Sequence, residues 1–167
     1  QGGYVLDLYS RFLDDVFFLF AGTLQQVKLL EQYLNTLIPD IHITLSAHTE
    51  IISFLDVYVY KHHALDGTCT LQTRTYFKST DTHQLLHTHS YHPKHTFRAV
   101  LRSQFIRFKR LSSTHEDYNA ASQTLTEVLR NRGYSRRSIN HTQHDIWFNY
   151  VDKPTQSVDN TNAKPIL

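Results

Sequence analysis

A chain of 167 residues, 40% of them apolar and with ten Tyr and ten Phe, is long and aromatic enough to bury a core as one domain or one and a half, which excludes a disordered polypeptide. Its formal charge of +2 points to no class of partner, and the lone Cys69 excludes an internal disulfide framework or a cysteine-based zinc site. No apolar run approaches the ~18 residues of a membrane span and no secretory signal is visible, while the start Gln1-Gly2-Gly3 and the absence of Met read as a piece of a longer open reading frame.

The first two predicted elements are strands. Leu8–Leu13 leads into Asp14-Asp15, and the run Val16–Phe20 reads as a second strand, buried on both faces. Neighbouring side chains of a regular strand point to opposite faces, so the two carboxylates reach one site only if the chain turns between the strands. Asp is an ordinary turn residue, because its side chain bonds its own backbone. Beside an apolar wall, however, adjacent like charges repel unless a cation joins them. Hard oxygen ligands suit Mg²⁺, which takes one or two protein carboxylates together with waters and substrate phosphates, as in two-metal phosphoryl transfer.

Gly22-Thr23 opens an amphipathic helix whose apolar positions Leu24, Val27, Leu30, Leu34 and Leu37 form a core stripe, closing near Pro39. Ile41–Leu45 and Glu50–Tyr60 read as two further strands, the second interrupted by Asp56. Asp66-Gly67 marks a hairpin turn into a strand over Thr68–Phe77. His83, His87, His89, His92 and His95 form a conspicuous cluster, a weak zinc signal because Pro93 forbids a regular helix that would align them.

From Thr96 to Leu111 the pattern is helical. Phe97, Val100, Leu101, Phe105, Phe108 and Leu111 share one face, and Arg98, Arg102, Arg107, Lys109 and Arg110 spread over the rest. A basic face of this kind is suited to backbone phosphates, with salt-sensitive binding through released counterions. Ser113 and Glu116 have capping-box spacing and open the next helix, in which Ala121, Leu125, Val128 and Leu129 face inward until Gly133 stops it. Ser135 starts a shorter element through Ile139, His144, Trp147 and Phe148, and from Asp152 the sequence becomes a polar tail.

Several of these stretches carry a family resemblance. Phe12-Leu13-Asp14-Asp15, preceded by Arg11 and followed by Val-Phe-Phe, resembles the aromatic-x-Asp-Asp box of reverse transcriptase palms. In order behind it come Ser53-Phe54-Leu55-Asp56-Val57, then Thr75-Tyr76-Phe77-Lys78-Ser79-Thr80-Asp81, Ser90-Tyr91-His92-Pro93 and Arg132-Gly133-Tyr134. The ordered set, over roughly residues 8 to 140, resembles the reverse transcriptases of Penelope-like retroelements.

The resemblance implies an α+β chain: the C-terminal part of an antiparallel palm sheet with one packed helix over 1–85, a helical thumb over 86–150 and a tail over 151–167. It implies RNA-directed DNA polymerase activity, in which a primer 3′-hydroxyl attacks the α-phosphorus of a deoxynucleotide on an RNA template. Asp14 and Asp15 would be the catalytic carboxylates and ligands to two Mg²⁺ ions. Phe12 would pack near the primer terminus, Lys78 and Thr80 would touch nucleic acid from a primer-grip position, and Arg98, Arg102, Arg107, Lys109 and Arg110 would hold the duplex. In that family the third carboxylate and the nucleotide-selecting fingers lie upstream, so this chain alone is expected to be inactive; the family acts in the nucleus. Readings of other classes are a non-catalytic nucleic-acid-binding module of palm–thumb shape and a His-rich metal-binding protein.

Overall fold

A computed structural model describes residues 6–37 and 40–152. Its first sheet is the antiparallel pair β1 (Leu6–Phe12) and β2 (Asp15–Phe20), in a register that sets Arg11 opposite Val16 and Phe12 opposite Asp15. Leu13 and Asp14 make the two-residue turn between them. Helix α1 (Leu24–Leu37) follows. At its start Gln26 Oε1 accepts the Thr23 N–H at 2.8 Å while Thr23 Oγ1 accepts the Gln26 N–H at 3.3 Å, a reciprocal cap that satisfies two donors otherwise orphaned.

The second sheet is a meander of β3 (Ile51–Phe54), β4 (Val57–His63) and β5 (Cys69–Thr75), with β4 central. Three helices close the described chain: α2 (Lys94–Leu111), α3 (His115–Asn131) and α4 (Arg136–Asn149). Apart from α1, which lies between β2 and β3, the strands precede the helices, and the fold is α+β.

Several expectations are corrected. Glu50–Tyr60 is a tight hairpin rather than one strand: Phe54 pairs with Val57, and Leu55-Asp56 form the turn. Ile41–Leu45 is not a strand, because its backbone partners are side chains of α1. Asn35 accepts the Ile43 N–H at 2.7 Å and donates to the Ile43 carbonyl at 2.8 Å, and Glu31 accepts the Leu45 N–H at 3.1 Å. The N-cap of α3 is Thr114 rather than Ser113; Thr114 Oγ1 accepts the Asp117 N–H at 3.1 Å. Burial of β2 on both faces is not observed either, since only Phe17 in it is buried. A two-stranded sheet lacks the neighbours that would cover it. The expected helix end at Pro39, the Gln1-Gly2-Gly3 start and most of the polar tail lie outside the described residues.

The core sits among α2, α3 and α4. Phe105, Tyr118, Leu129, Ile139 and Ile146 are each 0% exposed, and Leu101, Phe108, Ala121, Leu125 and Tyr134 complete the cluster. Lys109 closes it from below: its ammonium donates to the carbonyls of Ile146 at 3.1 Å, Trp147 at 2.6 Å and Tyr150 at 2.7 Å. The Ile146 carbonyl also accepts the Tyr150 N–H at 3.3 Å, whereas those of Trp147 and Tyr150 lie past the last turn that could satisfy them.

The meander joins this bundle through a polar seam. Thr73 and Ser113 exchange bonds at 2.8 Å in each direction, Arg107 pairs with Asp56 at 2.9 Å, and the Tyr60 hydroxyl donates to Asp117 at 2.7 Å. Phe77, just past β5, sets its ring edge-on to Phe108 with centroids 5.6 Å apart.

Gly133 links α3 to α4 at φ 86°, and a Cβ there would lie 2.2 Å from Thr88 Oγ1. Thr88 cannot withdraw freely, because its N–H donates to the Arg132 carbonyl at 2.9 Å. Gly67 has a similar φ of 83° with nothing within 4 Å. Gly133→Ala is therefore expected to lower stability by roughly 2–3 kcal/mol and Gly67→Ala by about 1 kcal/mol, read from urea midpoints. Equal losses would show that the contact with Thr88 relaxes without cost.

Burial first, and then the hydrogen bond to Asp117, raise the Tyr60 hydroxyl from 10.0 to about 12. The unfolded chain thus loses this proton first as pH rises. The contribution of Tyr60 is fully present below pH 10 and is lost between about pH 10 and 12. Stability should decline across that window, and Tyr60→Phe should make the decline shallower. An equally steep decline in the variant would assign it to other groups.

Candidate active site and nucleic-acid interface

The tip of the β1–β2 hairpin is held by its own neighbour: Arg11 Nε donates to the Leu13 carbonyl at 2.9 Å. Leu13 adopts φ 52°, the left-handed region that a bulky residue enters only at a cost of about 1–3 kcal/mol. Asp14 completes the turn and Asp15 opens β2 opposite Phe12. Phe12 is 56% and Leu13 73% exposed, and both aspartates are exposed. Among the described residues neither carboxylate has an ion pair or a hydrogen-bond partner.

Asp15 lines a cleft of about 660 Å³ bounded by β2, residues 44–50 and β3, whereas Asp14 lies outside its lining. Alternation along β2 puts Asp15 on the same face as Phe17, whose ring meets Phe54 at 5.5 Å. The carboxylate of Asp15 therefore shares the side of the hairpin that faces the β3–β4 turn. That turn repeats the first one: Phe54-Leu55-Asp56 has the same three residue types, and Leu55 sits at φ 53°. Asp56 is engaged by Arg107, which leaves Asp14 and Asp15 as the unpaired acids of the two turns.

Two adjacent carboxylates without internal partners have the donor chemistry for Mg²⁺, as part of a coordination shell that waters and phosphate oxygens complete. Among the described residues no three His, Cys, Asp or Glu side chains converge as a metal site. The histidines of 83–95 make local contacts instead. His83 Nδ1 lies 3.1 Å from Asp81, His92 Nδ1 lies 3.1 Å from Ser90 Oγ, and the rings of His87 and His89 are 4.9 Å apart.

Most of the cations read from α2 are engaged within the fold. Arg102 pairs with Asp145 at 2.8 Å, Arg107 with Asp56, and Arg110 with Asp152 at 2.7 Å and the Tyr150 hydroxyl at 2.9 Å. Hydrogen bonds from Asn149 and Arg102 hold Asp145 below the usual carboxylate range, and the bond from Arg110 does the same for Asp152. Lys109 is committed to the end of α4. Of the five, only Arg98 has no partner among the described residues. It lines a second cavity with Arg137 and His141 of α4. Lys78 and Thr80 are exposed in the turn after β5, where the Lys78 carbonyl accepts the Asp81 N–H at 2.9 Å.

The sequence concentrates cations again at Arg130, Arg132, Arg136 and Arg137, but the expected duplex-holding set included none of these and left out His141. The signal lay in the spacing: α3 ends at Asn131 and α4 begins at Arg136, leaving a short turn that contains Gly133. Two helices joined by such a turn are the arrangement of helix-turn-helix proteins, in which the second helix enters a DNA groove. Residues 84–144 match the family model described as "Animal helix-turn-helix domain", a match to less than half of the chain that spans α2, α3 and most of α4. No curated protein matches the chain. No solved structure matches it either.

Proposed function

We propose that this chain is the palm-and-thumb part of an RNA-directed DNA polymerase, in which Asp14 and Asp15 hold divalent metal at a primer terminus and the helical unit holds the duplex. The observation that carries the reading is the strained two-residue turn with Leu13 at φ 52°, which sets two adjacent, unpartnered carboxylates at an exposed tip. Strain of this kind persists only where the surrounding structure over-determines it, here the pairing of β1 with β2. The ordered motifs from Phe12 to Tyr134 add to it, as do the exposed Phe12 beside the acids and the exposed Lys78 and Thr80 after β5.

When bound, two Mg²⁺ ions would supply charge neutralisation at the transferring phosphoryl group and a more acidic 3′-hydroxyl. Asp14 and Asp15 contribute the ligands, Phe12 an apolar surface for the terminal base pair, and the helices a duplex-binding surface. Two carboxylates leave a two-metal site incomplete, and the resemblance puts the third upstream in the protein. The chain by itself is accordingly expected to extend no primer.

A second reading is a duplex-binding module without catalysis. The helix-turn-helix match over 84–144 supports it, since helix-turn-helix units are a common DNA-binding arrangement and the match does not include the hairpin. Asp14→Asn in the complete open reading frame separates the two. Asn is as suited to a turn as Asp, so the fold should persist. Under the polymerase reading primer extension falls by about a thousand-fold or more, the several kcal/mol that a lost metal ligand implies. Undiminished synthesis, or an inactive parent protein that still binds duplex, would favour the second reading.

A further inference from the structure

The cavity between α2 and the start of α4, about 440 Å³, sets Arg98, Arg137 and His141 beside the core residues Leu101 and Tyr134. Arg98 reaches its rim from α2 and Arg137 from α4, with His141 one turn further along. No Asp or Glu lines it. Both arginines are exposed and neither has an ion pair among the described residues.

The first turn of α4 contains no acid and two arginines, Arg136 and Arg137, against the positive end of the helix dipole. Ser135 Oγ takes the Ser138 N–H at 3.2 Å, and among the described residues the N–H groups of Arg136 and Arg137 have no acceptor. A separate observation concerns Tyr134. It lines the same cavity and is only 7% exposed, yet its hydroxyl has no hydrogen-bond partner. Buried hydroxyls are nearly always paired, and this one, on a residue in the wall of a cavity that carries Arg98, Arg137 and no acid, lacks an acceptor among the described residues.

We propose that this cavity takes one backbone phosphate of a nucleic-acid duplex, gripped by Arg98 and Arg137 against the first turn of α4. The guanidinium forks match phosphate oxygens, and the walls of Phe97 and Leu101 suit the adjoining sugar. The cavity opens at the surface and combines both helices of a basic face, which favours a phosphodiester over a small free anion. The inference rests on the nucleic-acid-binding part of the function proposed above and is independent of the Asp14-Asp15 tip.

The test uses the whole chain with a short fluorescent RNA–DNA duplex, its affinity measured by anisotropy over a range of salt. Arg98→Gln and Arg137→Gln should each weaken binding about ten-fold and lower the slope of log K against log salt by about 0.9, the value for one phosphate. The double variant should lower the slope by that same amount, because both side chains serve a single phosphate. Tyr134→Phe should keep the unfolding midpoint of the parent chain and still weaken binding several-fold. If the parent chain binds duplex and the variants bind it with unchanged affinity and slope, this site is refuted and the nucleic-acid reading stands. If the parent chain binds no duplex, both fall. Arginine-dependent binding of inorganic phosphate with duplex affinity untouched would also overturn the proposal, since the occupant would then be a free anion.

Discussion

The unequal distribution of apolar burial governs this molecule. Phe105, Tyr118, Leu129, Ile139 and Ile146 are fully removed from water in the helical unit, whereas among the described side chains of the hairpin and α1 only Phe17 and Val27 fall as low as 9% exposure. At roughly 1.5–3 kcal/mol for each large side chain fully buried, the drive to fold comes mainly from α2, α3 and α4. The meander is held against that unit by a seam of specific bonds, and the hairpin is held against the meander through Phe17 and Phe54. A two-stranded sheet is marginal on its own. Local stability therefore falls from bundle to meander to hairpin, and the tip with Asp14 and Asp15 lies at the weak end, where functional segments that must move or be strained are commonly found.

The elements legible in the sequence were those with a strong period. The apolar positions of α2 and α3, the Asp66-Gly67 turn and the helix stop at Gly133 follow from side-chain spacing or from a residue whose backbone preference fits its place, whereas the core stripe expected on α1 is not observed: Val27 is buried, but Leu24 and Leu37 are exposed. The misreadings share a different cause. Leu55-Asp56 gives no turn signal, since a Leu at φ 53° is selected by the surrounding pairing and not by its own preference. Ile41–Leu45 alternates as a strand should, yet alternation says nothing about whether a partner strand exists, and Asn35 and Glu31 supplied the hydrogen bonds instead. At the start of α3, Ser113 and Thr114 are equally good caps, and the bonds between Ser113 and Thr73 decided between them.

The candidate site was legible to different depths in its two parts. The acidic tip could be found because adjacent Asp residues between apolar strands are unusual; Asp14 falls in the turn and Asp15 at the first position of β2. The basic surface was misjudged because a sequence lists cations without their partners. Asp56, Asp145 and Asp152 are far from α2 along the chain, and only the fold reveals that they engage Arg107, Arg102 and Arg110. A salt bridge at the surface contributes little stability, so these pairs remain competent to exchange partners, but at rest they reduce the positive field that α2 was expected to present.

Helix α4 brings these threads together through its polarity. Its C-terminal carbonyls, the negative end, are satisfied by the ammonium of Lys109, the arrangement that dipole electrostatics favours. Its positive end carries Arg136 and Arg137 and no acid, the arrangement that the same electrostatics disfavours. Helix α3 makes the contrast within one protein, with Glu116 and Asp117 in its first turn. The cost at α4 is not offset by any ion pair among the described residues, and it vanishes when an anion settles on the first turn. A helix stabilised at one end and left electrostatically unsatisfied at the other is best understood as one whose open end is completed from outside the chain.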